Sequence, residues 1–188
     1  MVDTKITNAS ELLAYLKEHK NFEARVPVDV DQIATKLGIR VEEDSSLEYR
    51  DTVIVGEIFF KDEMPVVKIN PYQNSYLPRK RFTLAHEIGH YCLHSMESKQ
   101  GFTDSVKTMS RTESYWDTRE SEANNFAAQL LMPKELIITE SKKCIDSYKR
   151  KTGKEKIEPC LFTEAMATIF EVSSKAMEYR LKNIGIIK

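Results

Sequence analysis

The spacing of apolar residues changes period several times along the chain, and each change predicts an element. Leu12, Leu13 and Leu16 recur at helical spacing behind Asn8 and Glu11, a pair suited to capping, which predicts a helix to about Lys20. Pro27 breaks the chain. Asp29 caps a short second helix that turns Val30, Ile33, Ala34 and Leu37 inward and stops at Gly38. The period then falls to two. Ile39, Arg40, Val41 and Glu42 alternate as a strand, and residues 52–60 and 64–70 predict two more, joined as a hairpin around Lys61, Asp62 and Glu63.

Helical spacing returns after a loop bracketed by Pro71 and Pro78. Pro78 suits the first turn of a helix over residues 79–95. Residues 96–111 are polar and predict an exposed excursion, a rim beside that helix. A helix over residues 118–132 stops at Pro133, and another continues to Gly153. Two short helices follow, over residues 161–170 and 174–183, with a tight turn at Glu171, Val172 and Ser173. The pattern is α+β and mostly helical, with a small three-stranded sheet beside the helix of residues 79–95. Residues 1–24 are expected as an N-terminal helical segment, 25–155 as the main domain, and 156–188 as a helical hairpin packed on it.

Composition narrows the class. The chain has 188 residues, 41% hydrophobic and 30% charged, as in ordinary globular proteins. Its 28 basic and 29 acidic residues leave a net charge of -1, which provides no global attraction to nucleic acid or anionic lipid. Cys92, Cys144 and Cys160 are odd in number and widely spaced, so neither a disulfide framework nor a cysteine-based zinc site is expected. The first residues lack the apolar core of a signal peptide, and no apolar run reaches membrane-spanning length. A reduced, cytoplasmic setting without membrane contact is the expectation.

The chemistry concentrates at His86, Glu87, Ile88, Gly89 and His90. Two histidines four apart on a helix share a face and can converge on one zinc ion. Glu87 lies about 100° further round the helix. From there its carboxylate can take a proton from a water held by such an ion without competing as a ligand. The bland alternative is three ordinary helical residues. Against it, a polar triple inside an otherwise apolar helix needs partners, and a metal supplies them. A third ligand is sought on the helix after residue 118. Glu120, Ala123, Asn124, Ala127 and Leu131 fall on one face, apolar except for Glu120 and Asn124, which makes Glu120 the expected third ligand and Asn124 a support for a ligating histidine. Glu122 is the second choice and Glu113 the third.

The stretch from Arg81 to His90, followed by Glu120, Asn124 and Ala127 and then Leu130, Leu131, Met132 and Pro133, resembles the ImmA/IrrE metallopeptidases over about residues 25–185. The resemblance implies a zincin-like, gluzincin-type peptidase domain. It implies zinc on His86, His90 and Glu120, with Glu87 as general base. It further implies a cytoplasmic endopeptidase that cuts a helix-turn-helix transcriptional repressor, often one from a mobile element or a stress regulon. A toxin-like or accessory peptidase paired with a neighbouring regulator is a second reading, and a DNA-binding regulator with a structural zinc a third. The longer family members add a C-terminal sensor domain. This sequence stops at Lys188, so control is expected from elsewhere.

Other residues carry weaker expectations. His94 continues the four-residue ladder and is weighed as a third histidine ligand against a supporting or surface role. His19 is expected at the surface. Tyr91 and Tyr115 are weighed as donors to an oxyanion, with packing favoured. Residues 162–183 resemble a helix-turn-helix: Val172 would plug the turn, Ser173 would cap the second helix, and Lys175, Arg180 and Lys182 would supply charge. A hairpin that closes the domain is preferred there over direct DNA binding.

Overall fold

The structure is a computed structural model and describes residues 6–94, 102–105 and 118–188. The order of elements is α1 (Ala9–Lys20), α2 (Val30–Leu37), β1 (Arg40–Glu43), a 3-10 turn (Ser45–Tyr49), β2 (Ile54–Lys61), β3 (Met64–Ile69), α3 (Leu77–His94), β4 (Phe102–Ser105), α4 (Thr118–Leu131), α5 (Lys134–Thr152), α6 (Pro159–Phe170) and α7 (Ser174–Asn183).

Local chemistry sets the boundaries. The Asn8 side chain accepts the Glu11 N–H at 3.0 Å, and Glu11 Oε2 accepts the Thr7 N–H at 2.7 Å, so two exposed donors at the start of α1 are satisfied reciprocally. Asp29 caps α2 through the Gln32 N–H at 2.8 Å, and Gly38 closes it at φ 75°. Asp62 and Glu63 turn the β2–β3 hairpin with φ of 50° and 64°. Positive φ at both central residues is what a two-residue turn needs to match strand twist.

The sheet has four strands in the order β1-β3-β2-β4. The three expected strands are present. β1 runs parallel to β3, with Val41 opposite Val67, and β2 is antiparallel to β3, with Ile58 opposite Val67. The fourth, β4, pairs antiparallel with β2 and comes from the stretch expected as an excursion; Thr103 on it is exposed. Strand alternation turns Gly56, Ile58 and Phe60 of β2 to one face of the sheet, where Ile58 is buried and Phe60 meets the Tyr91 ring of α3 at 6.3 Å. The opposite face of β2 carries Glu57, which takes a bidentate pair from Arg50 at 2.8 and 3.0 Å.

α3 is the axis of the molecule. Every residue from Thr83 to His90 is buried, because the sheet covers one side of the helix and α4 another. Arg81 anchors its first half by donating to the Val28 carbonyl at 2.9 Å. One hydrophobic core takes in Leu12 and Leu16 of α1, Leu84 and Ile88 of α3, Leu130 and Leu131 of α4, Phe170 of α6, and Met177 and Leu181 of α7. Both ends of the described chain therefore pack into the same core as the motif helix.

Candidate metal centre

A helix enclosed on every side would ordinarily be apolar throughout. α3 instead places His86, Glu87 and His90, all fully buried, in its middle turns. α4 crosses beside it and contributes Glu120, 6% exposed. The two helices come this close because of Gly89. A Cβ there would lie 3.3 Å from both Cα and O of Ala123 and 3.3 Å from Cβ of Phe126. The small residues of the motif and of the facing helix thus bring the two helix axes together at the level of the polar group.

The donor atoms form a compact triangle. His86 Nε2 and His90 Nε2 are 3.0 Å apart. Glu120 Oε2 lies 3.3 Å from His86 Nε2, and Glu120 Oε1 lies 3.2 Å from His90 Nε2. Zinc–nitrogen and zinc–oxygen bonds of about 2.0–2.2 Å in a tetrahedron separate neighbouring donors by roughly 3.3 Å. The triangle has that size, and two imidazoles with one carboxylate are a donor set that suits zinc. Among the described residues, these three are the group that can hold a metal ion. Burial pushes the Glu120 carboxyl upward, but the hydrogen bonds and charge of His86 and His90 outweigh it and hold the group below the usual carboxylate range, as an anion.

The other candidates separate on position. Glu122, the second choice for third ligand, is 54% exposed at its side chain and meets His94 Nε2 at 3.7 Å, away from His86 and His90. Two positions along α4 turn a side chain by about 200°, which is why Glu120 and Glu122 part so cleanly. His94 is buried one turn past the triangle. Its Nε2 lies 3.4 Å from the Arg119 carbonyl and its ring 5.4 Å from that of His90. Asn124 is half-buried on the face of α4 that carries Glu120. Tyr91 packs on Phe60, and burial raises its pKa. Glu113 and Tyr115 lie outside the described residues. Cys92 and Cys144 are partly buried against the core, Cys160 is exposed, and the three are free thiols.

Two features near Glu87 carried no expectation. Asn74, buried in the loop before α3, donates to the Val55 carbonyl at 2.9 Å and to the Asn70 carbonyl at 2.8 Å, and accepts from Thr83 Oγ1 at 2.6 Å. It ties β2 to α3 one turn before Glu87. Gly56 of β2 faces Glu87 directly: a Cβ there would fall 2.6 Å from Glu87 Oε1. An Asn in a Pro-bracketed loop and a Gly in a strand are the faint signals of such tight approaches.

A mostly helical α+β domain that buries two imidazoles and a carboxylate in metal-sized geometry, with a further carboxylate beside them, is of the metallopeptidase class. Residues 34–182 match the IrrE N-terminal-like domain, a peptidase family, and the chain belongs to that family. No curated protein matches it.

Proposed function

We propose that this protein is a zinc-dependent endopeptidase that cuts a cytoplasmic protein, a helix-turn-helix transcriptional repressor. The observation that carries the catalytic part is the buried triangle of His86, His90 and Glu120, with the Glu87 carboxylate one residue from the first ligand. Zinc held there would supply Lewis acidity, polarising a carbonyl and making water a stronger acid at neutral pH. His86 and His90 would hold the ion through Nε2, and the Glu120 carboxylate would add a negatively charged oxygen ligand. Glu87 takes the proton from the attacking water on its carboxylate and passes it to the departing amine nitrogen. Among the described residues three donors converge, and a centre with three protein ligands would keep a position for water or substrate, as catalytic zinc sites do.

The repressor as substrate rests on the resemblance of the two helix motifs to the ImmA/IrrE peptidases. So does the cytoplasm; among the described residues no helix is long and apolar enough to cross a membrane. The test is to incubate the zinc-loaded protein with purified helix-turn-helix regulators from the same organism and to locate any cut by mass spectrometry. Glu87→Gln should keep its zinc and lose about 10²–10⁴-fold in cleavage rate, the usual worth of a general base. Cleavage by that variant at the wild-type rate would falsify the role of Glu87. Cleavage of unfolded casein with the regulators left intact would overturn the substrate and leave the peptidase standing.

A further inference from the structure

The Glu87 carboxylate lies against the backbone of β2 at Gly56. Gly56 pairs with Ile69 of β3 on one side and with Asp104 of β4 on the other. Glycine weakens a strand interior. The pairing of β2 with β4 shifts register between Ile54 and Gly56, but Gly56 does not adopt the positive φ that would itself demand glycine. Position 56 is also the described glycine at which an added Cβ would come closest to its neighbours. A Cβ there would stand 2.6 Å from Glu87 Oε1 and 2.7 Å from Thr83 Cγ2, whereas non-bonded heavy atoms settle at about 3.5–4.0 Å.

We propose that Gly56 is a positioning residue for Glu87: the missing side chain leaves the space in which the carboxylate lies, and any larger residue displaces it. Of the two neighbours, the carboxylate is the one that yields. Both side chains are fully buried, but Thr83 is β-branched and its hydroxyl is held by Asn74 at 2.6 Å, so its methyl cannot swing away without breaking that hydrogen bond. The Glu87 carboxylate ends a longer side chain with three rotatable bonds, so a shift of its far end costs less than moving the short, branched Thr83. Restoring ordinary separation needs a shift of roughly 1 Å, a misplacement that can cost about 10²-fold in rate. The inference rests on Glu87 acting as base, but the displacement itself is independent of that role.

The test uses the full-length zinc-loaded protein with carbon-13-labelled glutamate carboxyls, the Glu87 resonance being the one that disappears in Glu87→Gln. Gly56→Ala should fold, keep its zinc and move the Glu87 resonance while leaving the other glutamates in place. Its kcat on the protein substrate should fall about 10²-fold, with KM within about twofold. Joined to Glu87→Asp, whose carboxylate is one methylene shorter, Gly56→Ala should cause no further loss. A strand defect alone would add its own loss to that of Glu87→Asp. If Gly56→Ala fails to fold, Gly56→Ala with Thr83→Ser relieves the methyl clash, keeps the hydroxyl and carries the same readouts. An unmoved Glu87 resonance in the folded variant overturns the inference. A moved resonance beside full activity of Glu87→Gln overturns the base and leaves the positioning intact.

Discussion

The α3–α4 pair and the α6–α7 hairpin both carry motifs that suggest function, and the structure treats their polar residues in opposite ways. In α3–α4 the polar side chains point inward. His86, Glu87 and His90 are fully buried, and Glu120 is drawn in from the next helix. Burying such groups is unfavourable unless they gain strong partners, so their convergence needs a chemical reason. In α6–α7 the apolar side chains point inward, with Phe170, Met177 and Leu181 in the core, and the charges lie outside or serve the fold. Lys175 and Lys182 both meet Glu178, at 3.4 and 2.8 Å, and Arg180 Nε donates to the Met132 carbonyl at 3.0 Å. Ser173 does cap α7, through the Ala176 N–H at 3.1 Å, and Val172 does fill the turn. Those features make a stable helical corner whatever it binds. A motif thus points to chemistry when its polar groups are buried together, and to architecture when they are satisfied one by one.

The largest expected effects lie on the buried side of that comparison. His86→Ala or His90→Ala should abolish stoichiometric zinc binding, measured by metal analysis of the purified protein. Glu120→Ala should weaken zinc affinity by more than about 100-fold, since even residues that only support a ligand are worth 10–100-fold. Glu122→Ala, on the exposed side of the same helix, should stay near wild type. Competition with a zinc indicator separates the two glutamates. Equal losses for both would mean that α4 presents a different face to the metal.

Much of this geometry was legible in the residues. Period changes located the helices and three of the strands. Small residues beside Glu120 and at Gly89 marked where α3 and α4 meet, and the face of α4 that carries Ala123 and Ala127 chose Glu120 over Glu122. What was not legible depends on distant neighbours. β4 joins β2 through a polar stretch whose letters read as a loop, because an edge strand needs backbone pairing more than apolar side chains. The 3-10 turn at Ser45–Tyr49 is held by Asp44, which caps Ser46, and buries Leu47 under the sheet, a placement that no local period announces. Gly56 and Asn74 matter because of what lies opposite them, and neither is unusual within its own neighbourhood of sequence.

A smaller effect tests whether the hairpin is separable from the metal site. Arg180 is half-buried, and its bond to the Met132 carbonyl ties α7 to the end of α4. Arg180→Met keeps the apolar stem and removes the donor. A hydrogen bond from a charged group is worth about 1.5–3 kcal/mol, which in a domain of this size shifts Tm by roughly 3–12 °C. Thermal unfolding followed by circular dichroism should show a fall in that range with zinc content unchanged. Loss of zinc alongside the fall would join the two regions and dissolve the contrast.

The smallest effect expected concerns Lys175 and Lys182, the exposed cations of α7. A helix that docked on duplex DNA would use such residues against phosphates, and removing one cation from a phosphate lowers the slope of log affinity against log salt by about 0.9. Here both lysines lie around one carboxylate. Hydrogen bonds from Lys182 and then Lys175 hold Glu178 below its ordinary pKa. Lys175 also rests over the Tyr179 ring at 4.8 Å. The pairs are exposed and screened by salt, so they add little to stability. Lys175→Ala with Lys182→Ala should therefore leave Tm unresolved from wild type. It should also leave unchanged the salt slope of any residual binding to a fluorescent DNA duplex, followed by anisotropy between about 50 and 200 mM salt. A slope lowered by about 2 would make α7 a DNA-docking helix, and the hairpin would then bear function on its surface as α3–α4 bears it inside.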